Sequence, residues 1–321
     1  MKYISINTKD ISTYRSELMG WSILWIMMLH FTFNQIKPLG FIAQYGFAGV
    51  DIFLFVSGFG IYYSLKKDSS LYSFYKKRLF RIFPTYYLLG IIASIVLFHD
   101  NILTYLYRYS TIGFWIDNIY WEWYIPSLLL LYLLAPFLKK IIDRKMLFAI
   151  SFISILCLVC AYLLINEDII NREHFFTLYR IPAFIFGMVC AYCFECNISK
   201  KLFYFFLIGG MPIFAFLYPN HHNIYNYKYF SLLFLLPLFI IAIVLICKYL
   251  RFTNSITSKI GKSSLEIYLI QSIFFSAIIQ GLIVIPSQWH DILTISIIIV
   301  SSILGVSVHW LIQESGIYRK A

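Results

Sequence analysis

The chain has 321 residues, 60% of them hydrophobic and only 13% charged, with a net charge of +11. Soluble domains run near 45–50% apolar and about 25% charged, so this composition excludes a soluble enzyme and a disordered chain. It also argues against an outer-membrane barrel, whose alternating strands read only weakly apolar. What remains is an all-α polytopic membrane protein. In such a protein a buried charge is costly, so the few polar residues inside the spans are the informative ones.

A crossing takes about 20 apolar residues. Ten segments meet that length, at 16–36, 44–65, 80–98, 122–141, 147–165, 179–196, 202–218, 229–247, 263–285 and 291–312. The short polar leader from Met1 to Tyr14 runs straight into the first of them, which is not the pattern of a cleaved signal. Nothing is left over for a soluble domain, so 1–321 reads as one integral-membrane domain. With the N-terminus in the cytoplasm and the sides alternating, all of the 26 Lys and Arg except Lys37, Arg108, Arg172, Arg180 and Lys228 fall inside. That asymmetry predicts ten transmembrane helices with both termini cytoplasmic. It assigns the charge to topology and not to nucleic acid. The opposite side carries Asn166-Glu167-Asp168, Pro219-Asn220-His221-His222 and a polar, aromatic stretch at 99–121 with room for a short interfacial helix. Cys157/Cys160 in the fifth span and Cys190/Cys193/Cys196 in the sixth are spaced by three, which puts them on shared helix faces. They read as small packing residues, since zinc knuckles take paired cysteines from turns. No metal site and no disulfide is expected.

Of seven histidines, only His30 lies well inside a span, about two-thirds of the way toward the outer face. A neutral imidazole is the cheapest titratable group to bury there, and it suits proton transfer near neutral pH. The alternative is a histidine that only ties one helix to the next. Asp51 lies about six residues into the second span, at a depth similar to that of His30 on an antiparallel neighbour. An intramembrane carboxylate needs a partner, and an Asp–His pair would fix the imidazole tautomer. The two are therefore expected to pair. In the loop between the second and third spans, Lys76, Lys77, Arg78 and Arg81 crowd the inner mouth. This run determines topology and meets anionic lipid. Yet Arg78 and Arg81 share one helical face, where two guanidiniums would also suit a polyphosphate from the cytosol.

His30, the string from Gly46 through Gly49-Val50-Asp51-Ile52-Phe53 to Ser57-Gly58-Phe59, and the string Tyr75-Lys76-Lys77-Arg78-Leu79-Phe80-Arg81-Ile82-Phe83-Pro84 closely resemble the integral-membrane acyltransferase type 3 family. Trp123-Tyr124-Ile125 with Tyr132 and Pro136, the segment Arg180 to Gly187, and the segment Gly261 to Ile270 resemble that family's later spans. The resemblance covers nearly the whole chain. It implies transfer of an acyl group, most often acetyl, from cytosolic coenzyme A thioester to a hydroxyl of a lipid-linked or extracytoplasmic glycan. It implies a multi-pass protein of a bacterial plasma membrane, with acyl-CoA as co-substrate and no permanently bound cofactor. His30 takes the place of the family's essential histidine. Arg78 and Arg81 take the place of its Arg-x-x-Arg pair, and Ser57, Gly58 and Phe59 match its Ser-Gly-Phe motif, where glycine permits close helix approach.

Two positions depart from the family. An arginine often stands eleven positions before the histidine; here that residue is Met19, and the nearest arginine is Arg15, one turn earlier. At 1.5 Å per residue Arg15 sits roughly 22 Å from His30, at the cytoplasmic surface, where it can meet a phosphate but not the reaction centre. Gln271 stands where relatives often place a histidine, and it can hydrogen-bond but cannot serve as a base. The expected arrangement has phosphates held by Arg78, Arg81, Lys77 and Arg15. It has the thioester near His30, with Asp51 orienting the imidazole, and an acceptor sugar lined by Glu122, Trp123, Tyr124 and Arg180. His30 acts as general base or as an acyl-carrying nucleophile. The alternative function is a transporter of a polysaccharide or lipid-linked sugar, although no inverted repeat or broken helix is evident in the sequence.

Overall fold

The structure is a computed structural model that describes residues 8–68, 70–119, 121–146, 148, 150, 152–153, 155–157, 159, 172–196, 209–212 and 232–316. These residues form helices and no strand. In chain order the named helices are α1 (Thr8–Thr13), α2 (Arg15–Phe31), α3 (Lys37–Ala43), α4 (Ala48–Lys67) and α5 (Leu71–Ala93), then α6 (Ile102–Tyr109), α7 (Ile112–Ile116) and α8 (Tyr124–Arg144). They continue with α9 (Arg172–Leu178), α10 (Ile181–Glu195), α11 (Leu236–Tyr249), α12 (Asn254–Lys262), α13 (Ser264–Ile279) and α14 (His290–Glu314).

Among the described residues five helical stretches are long and apolar enough to cross a membrane: Ala48–Lys67, Leu71–Phe98, Tyr124–Arg144, Phe176–Glu195 and Ser287–Glu314. A sixth arises if Leu233–Tyr249 and Arg251–Lys262, which meet at 94°, count as one broken span. The first expected span appears as the 17-residue α2, and the ninth as the 16-residue α13. Most of the expected fifth and seventh spans lies outside the described residues, as do Asn166 to Asp168, the His221-His222 pair and Cys160. The 99–121 stretch holds two short helices, α6 and α7, and not one. By hydropathy the eighth span ends at 247 and the basic stretch 248–262 is a loop; in the structure Arg251–Lys262 of that stretch is itself helical and meets the span at 94°.

The helix at the centre is α4, buried along nearly its whole length from Ala48 to Leu65. A helix apolar on every side belongs in a core. Its closest neighbour is α10, and two glycines make that possible. A Cβ on Gly58 would strike the carbonyl oxygen of Phe184, and one on Gly187 would strike that of Phe55. The Ser-Gly-Phe motif is thus a helix-crossing point, as small residues at such contacts allow. Gly20 of α2 and Gly261 of α12 make a second close crossing, against the backbones of Thr257 and Ser16. That crossing seats the α12–α13 turn on the first turn of α2. At the periphery, α14 exposes Ile292, Ile295, Ile299 and Ile303.

Candidate active site

Between α2, α4, α5, α8 and the α12–α13 turn lies a cavity of about 310 Å3. Arg15, Arg81 and Lys262 line one end of it. Met19, Ile23, Ile26, Val50, Phe53 and Leu128 form an apolar wall, with Ser57, Tyr124, Tyr132 and Tyr268 as its polar points. From Arg15 to Ile26 the wall climbs eleven residues of α2, roughly 16 Å at 1.5 Å per residue. His30 is one turn above Ile26 and is not itself on the cavity wall.

Arg15 lies over Gly60, where its guanidinium occupies the space a Cβ would need; the closest atom is 2.9 Å from that position. Met19, the departure from the family arginine, faces the same cavity one turn higher. The arginine thus moves down to the rim and leaves an apolar wall behind it. Arg78 donates to the carbonyl of Phe74 at 3.3 Å and sits 4.0 Å from that residue's ring centre. Arg81 forms a two-pronged ion pair with Glu266, Nη1 to Oε1 at 2.6 Å and Nη2 to Oε2 at 3.1 Å. Lys77 does not reach the cavity: half exposed, it faces Asp68 at 3.7 Å. Among the residues expected to meet phosphate, Lys77 is thus off the cavity wall, one turn of α5 before Arg81.

His30 closes the last turn of α2, which stops at Thr32, a residue with φ of 56°. Its Nδ1 is 2.9 Å from Oε1 of Gln271, which is fully buried. Its ring stacks on Phe275 with centres 4.7 Å apart. An amide oxygen only accepts, so Nδ1 carries the hydrogen and Nε2 is left as the basic nitrogen. The Asp51–His30 pair expected from depth is not formed. Asp51 instead accepts from Nη1 of Arg180 at 2.9 Å, and both side chains are about 1% exposed. Depth along a helix says nothing of rotation about its axis, and α4 turns Asp51 toward α10. Arg180 also donates to Tyr179 Oη at 3.1 Å and to the carbonyl of Phe47 at 3.2 Å, and it lies 5.3 Å from the Trp123 ring centre. A buried charge pair enclosed by aromatic rings closes this end of the bundle.

The residues expected to meet a sugar therefore separate. Tyr124 lines the cavity, while Trp123 packs on Arg180 and Phe176. Glu122 is buried and accepts from the backbone N–H groups of Tyr124 and Ile125 at the start of α8. It also accepts from Tyr268 Oη at 2.9 Å. Ser57 is on the cavity wall, and Phe59 is buried against Tyr63 and Phe194. Gln271, Tyr268, Glu266 and Lys262 are site residues that the sequence reading did not assign. Glu266 could have been found by the rule that raised Asp51, since it is an acidic residue in an apolar run and needs a partner. Among the described residues no group of three or more His, Cys, Asp or Glu is placed to hold a metal ion.

Comparison with known proteins bears on this arrangement. The profile of a family described as "Acyltransferase domain" matches residues 18–312. The chain belongs to this acyltransferase family, and its apolar helices make it a membrane protein. It is also 29% identical over 149 residues to a protein of Acidianus two-tailed virus named "Putative acetyltransferase ORF330". That match takes in 43% of this chain and 44% of the relative, so the chain spans less than half the length of the curated relative it matches. No solved structure matches.

Proposed function

We propose that the protein is an O-acyltransferase that takes an acyl group, acetyl by preference, from cytosolic acyl-CoA. It transfers the group to a hydroxyl of an extracytoplasmic or lipid-linked glycan. The observation that carries this reading is the cavity: cations at one rim, an apolar wall about the length of an extended thioester arm, and an oriented histidine one turn past its far end. The ten-span topology with cytoplasmic termini in a plasma membrane goes with it, because it puts the basic rim in the cytosol.

In this reading the phosphates of acyl-CoA rest at the rim near Arg15, Arg81 and Lys262, with Arg78 one turn of α5 away. The thioester lies toward Ile26, Val50 and Tyr268. The acceptor hydroxyl attacks the thioester carbon, a C–O bond forms and the C–S bond breaks. Nε2 of His30 takes the hydroxyl proton as general base and returns it to the departing thiolate, so the imidazole ends neutral. Gln271, in the place given to Asp51, holds the tautomer that leaves Nε2 basic. Asp51 and Arg180 hold α4 against α10 and carry no proton.

The test uses purified protein in proteoliposomes, acetyl-CoA labelled in the acetyl group, and a panel of glycan acceptors. Wild type is expected to transfer label, and His30→Ala to lose about 10²–10⁴-fold in rate, the span of general-base catalysis. Transfer undiminished in His30→Ala would end the base assignment. Absence of transfer from acyl-CoA to any acceptor, with glycan export intact, would end the acyltransferase reading of this chain's own activity.

A further inference from the structure

Glu266 has no place in the proton chemistry, yet it is the most completely paired carboxylate beside the cavity. It is 0% exposed, on the first turn of α13. Arg81 reaches it from α5 with both terminal nitrogens, at 2.6 and 3.1 Å. Thr85 Oγ1 donates to it at 3.4 Å, and His309 Nδ1 of α14 stands 3.3 Å away. Arg81 is held from another side as well, since its Nη2 donates to the carbonyl of Lys262 at 3.1 Å. A planar guanidinium gripped along one edge by a carboxylate and by a backbone oxygen cannot swing, and such two-pronged pairs fix geometry as well as charge.

Arg15 and Lys262, which line the rim, and Arg78, beside it on α5, are arranged differently. Among the described residues Arg15, Arg78 and Lys262 form no ion pair, and Arg78 has its Nε buried without a hydrogen-bond partner. Arg15 has its guanidinium over a glycine. The rim and the turn of α5 next to it therefore hold one cation whose charge is matched and whose direction is fixed, beside three whose charge is unmatched. A ligand with several negative charges would meet attraction from the three and geometric registration from the fourth.

We propose that Glu266 is a positioning residue for the anionic part of acyl-CoA. It aims Arg81 along the cavity wall and cancels its charge, so that binding strength falls to Arg15, Arg78 and Lys262 while Arg81 sets the register of the phosphates. The inference rests on the acyl-CoA reading above. It separates two jobs that the Arg-x-x-Arg spacing presents as one: Arg78 attracts and Arg81 aligns.

The experiment measures acetyl-CoA KM and kcat, and direct binding of acetyl-CoA by calorimetry, for the wild-type protein in detergent and four variants. Glu266→Gln keeps the size of the side chain and loses the charge. KM is expected to rise about tenfold, in the range of one charge-assisted hydrogen bond, with a smaller change in kcat. Arg81→Lys keeps the charge and loses the fork, and should reproduce that rise; the double variant should be no worse than either single one. Arg81→Leu with Glu266→Leu replaces the buried pair by apolar packing, which keeps or raises stability in many proteins. Its melting temperature should stay near wild type while its KM rises. Wild-type KM in that apolar pair would reduce the ion pair to a staple between α5 and α13 and overturn the proposal. A fall in kcat with KM unchanged in Glu266→Gln would overturn it as well. Absence of acetyl-CoA binding by the wild type would take down the acyl-CoA reading and this inference together. Binding by the wild type with unaltered variants would take down this inference alone.

Discussion

The two ends of the bundle handle charge in opposite ways. At the N-terminal ends of α4 and α10, one arginine meets one aspartate at 2.9 Å inside a ring of Phe47, Trp123 and Tyr179, and both are sealed from solvent. At the other end Arg15, Arg81 and Lys262 line an open cavity, with Arg78 one turn of α5 before Arg81, and among these four Arg81 alone forms an ion pair within the described residues. Burial without excess charge is a structural solution, because desolvation of each ion is offset by its partner. Excess charge of one sign at a concave rim is a binding solution, because its compensation must come from a ligand. The contrast separates a closed clamp from a site in a chain where both are built of arginine.

The largest test of that contrast is Arg180→Met. It leaves Asp51 buried and unpaired, so stability should fall by about 3–5 kcal/mol. Thermal unfolding in detergent reads this; a melting temperature equal to wild type would show that the clamp is not one. Arg78→Met is the counterpart at the open rim. It removes a cation that forms no ion pair and should leave the melting temperature unmoved, while acetyl-CoA KM rises about tenfold, the equivalent of one hydrogen bond to a charged group. Destabilisation on the scale of Arg180→Met would erase the distinction between the two ends.

Gln271→Leu sits between the ends and should cost about 1 kcal/mol of transition-state stabilisation, near a fivefold fall in kcat, since it removes one hydrogen bond that fixes the His30 tautomer. The smallest effect belongs to Asp100 and Arg108, in the segment between α5 and α6. Arg108 donates to both carboxylate oxygens, at 2.8 and 3.0 Å, and with Ser94 holds the Asp100 carboxyl below its usual range. A carboxyl depressed on folding stabilises the protein above its unfolded pKa near 4 and loses that contribution as pH falls through the lower folded value. Asp100→Asn should therefore remove up to about 1 kcal/mol at neutral pH and nothing at the acid limit. Unfolding measured at neutral and acid pH checks both.

Much of this arrangement was legible in the sequence, and the part that was not has a common cause. His30 stood out because an ionisable group inside an apolar span must have a reason to be there. The Arg78/Arg81 spacing put both side chains on one face at a span mouth; Arg81 lines the cavity and Arg78 turns to the Phe74 ring. Ser57-Gly58-Phe59 read as a close helix contact, which Gly58 and Gly187 make together. The partners were harder to read. Asp51 was matched to His30 by depth, but its partner came from the start of α10, 129 residues away. The carboxylate on Arg81 is 185 residues away, and the amide on His30 is 241 away. Sequence periodicity gives the depth of a residue and the face it shares with its neighbours. It does not give the rotation of that face toward one helix among several, which packing decides through contacts such as Gly20 on Thr257. Arg180 was read as part of a sugar site, but it was also a basic residue on the wrong side for topology, and that oddity was a signal that it had a partner.

The central claim is that the cavity takes acyl-CoA from its basic rim and delivers the acyl group to His30. An acyl-CoA whose acyl chain carries a photoreactive group tests this directly in membranes, with labelled peptides located by mass spectrometry. The account predicts labels confined to the segments around Ile26 to His30, Val50 to Phe53 and Tyr268 to Gln271, lost on competition with acetyl-CoA. Competable labels on the outward face of α14, near Ile295 and Ile299, with none around His30, would contradict it.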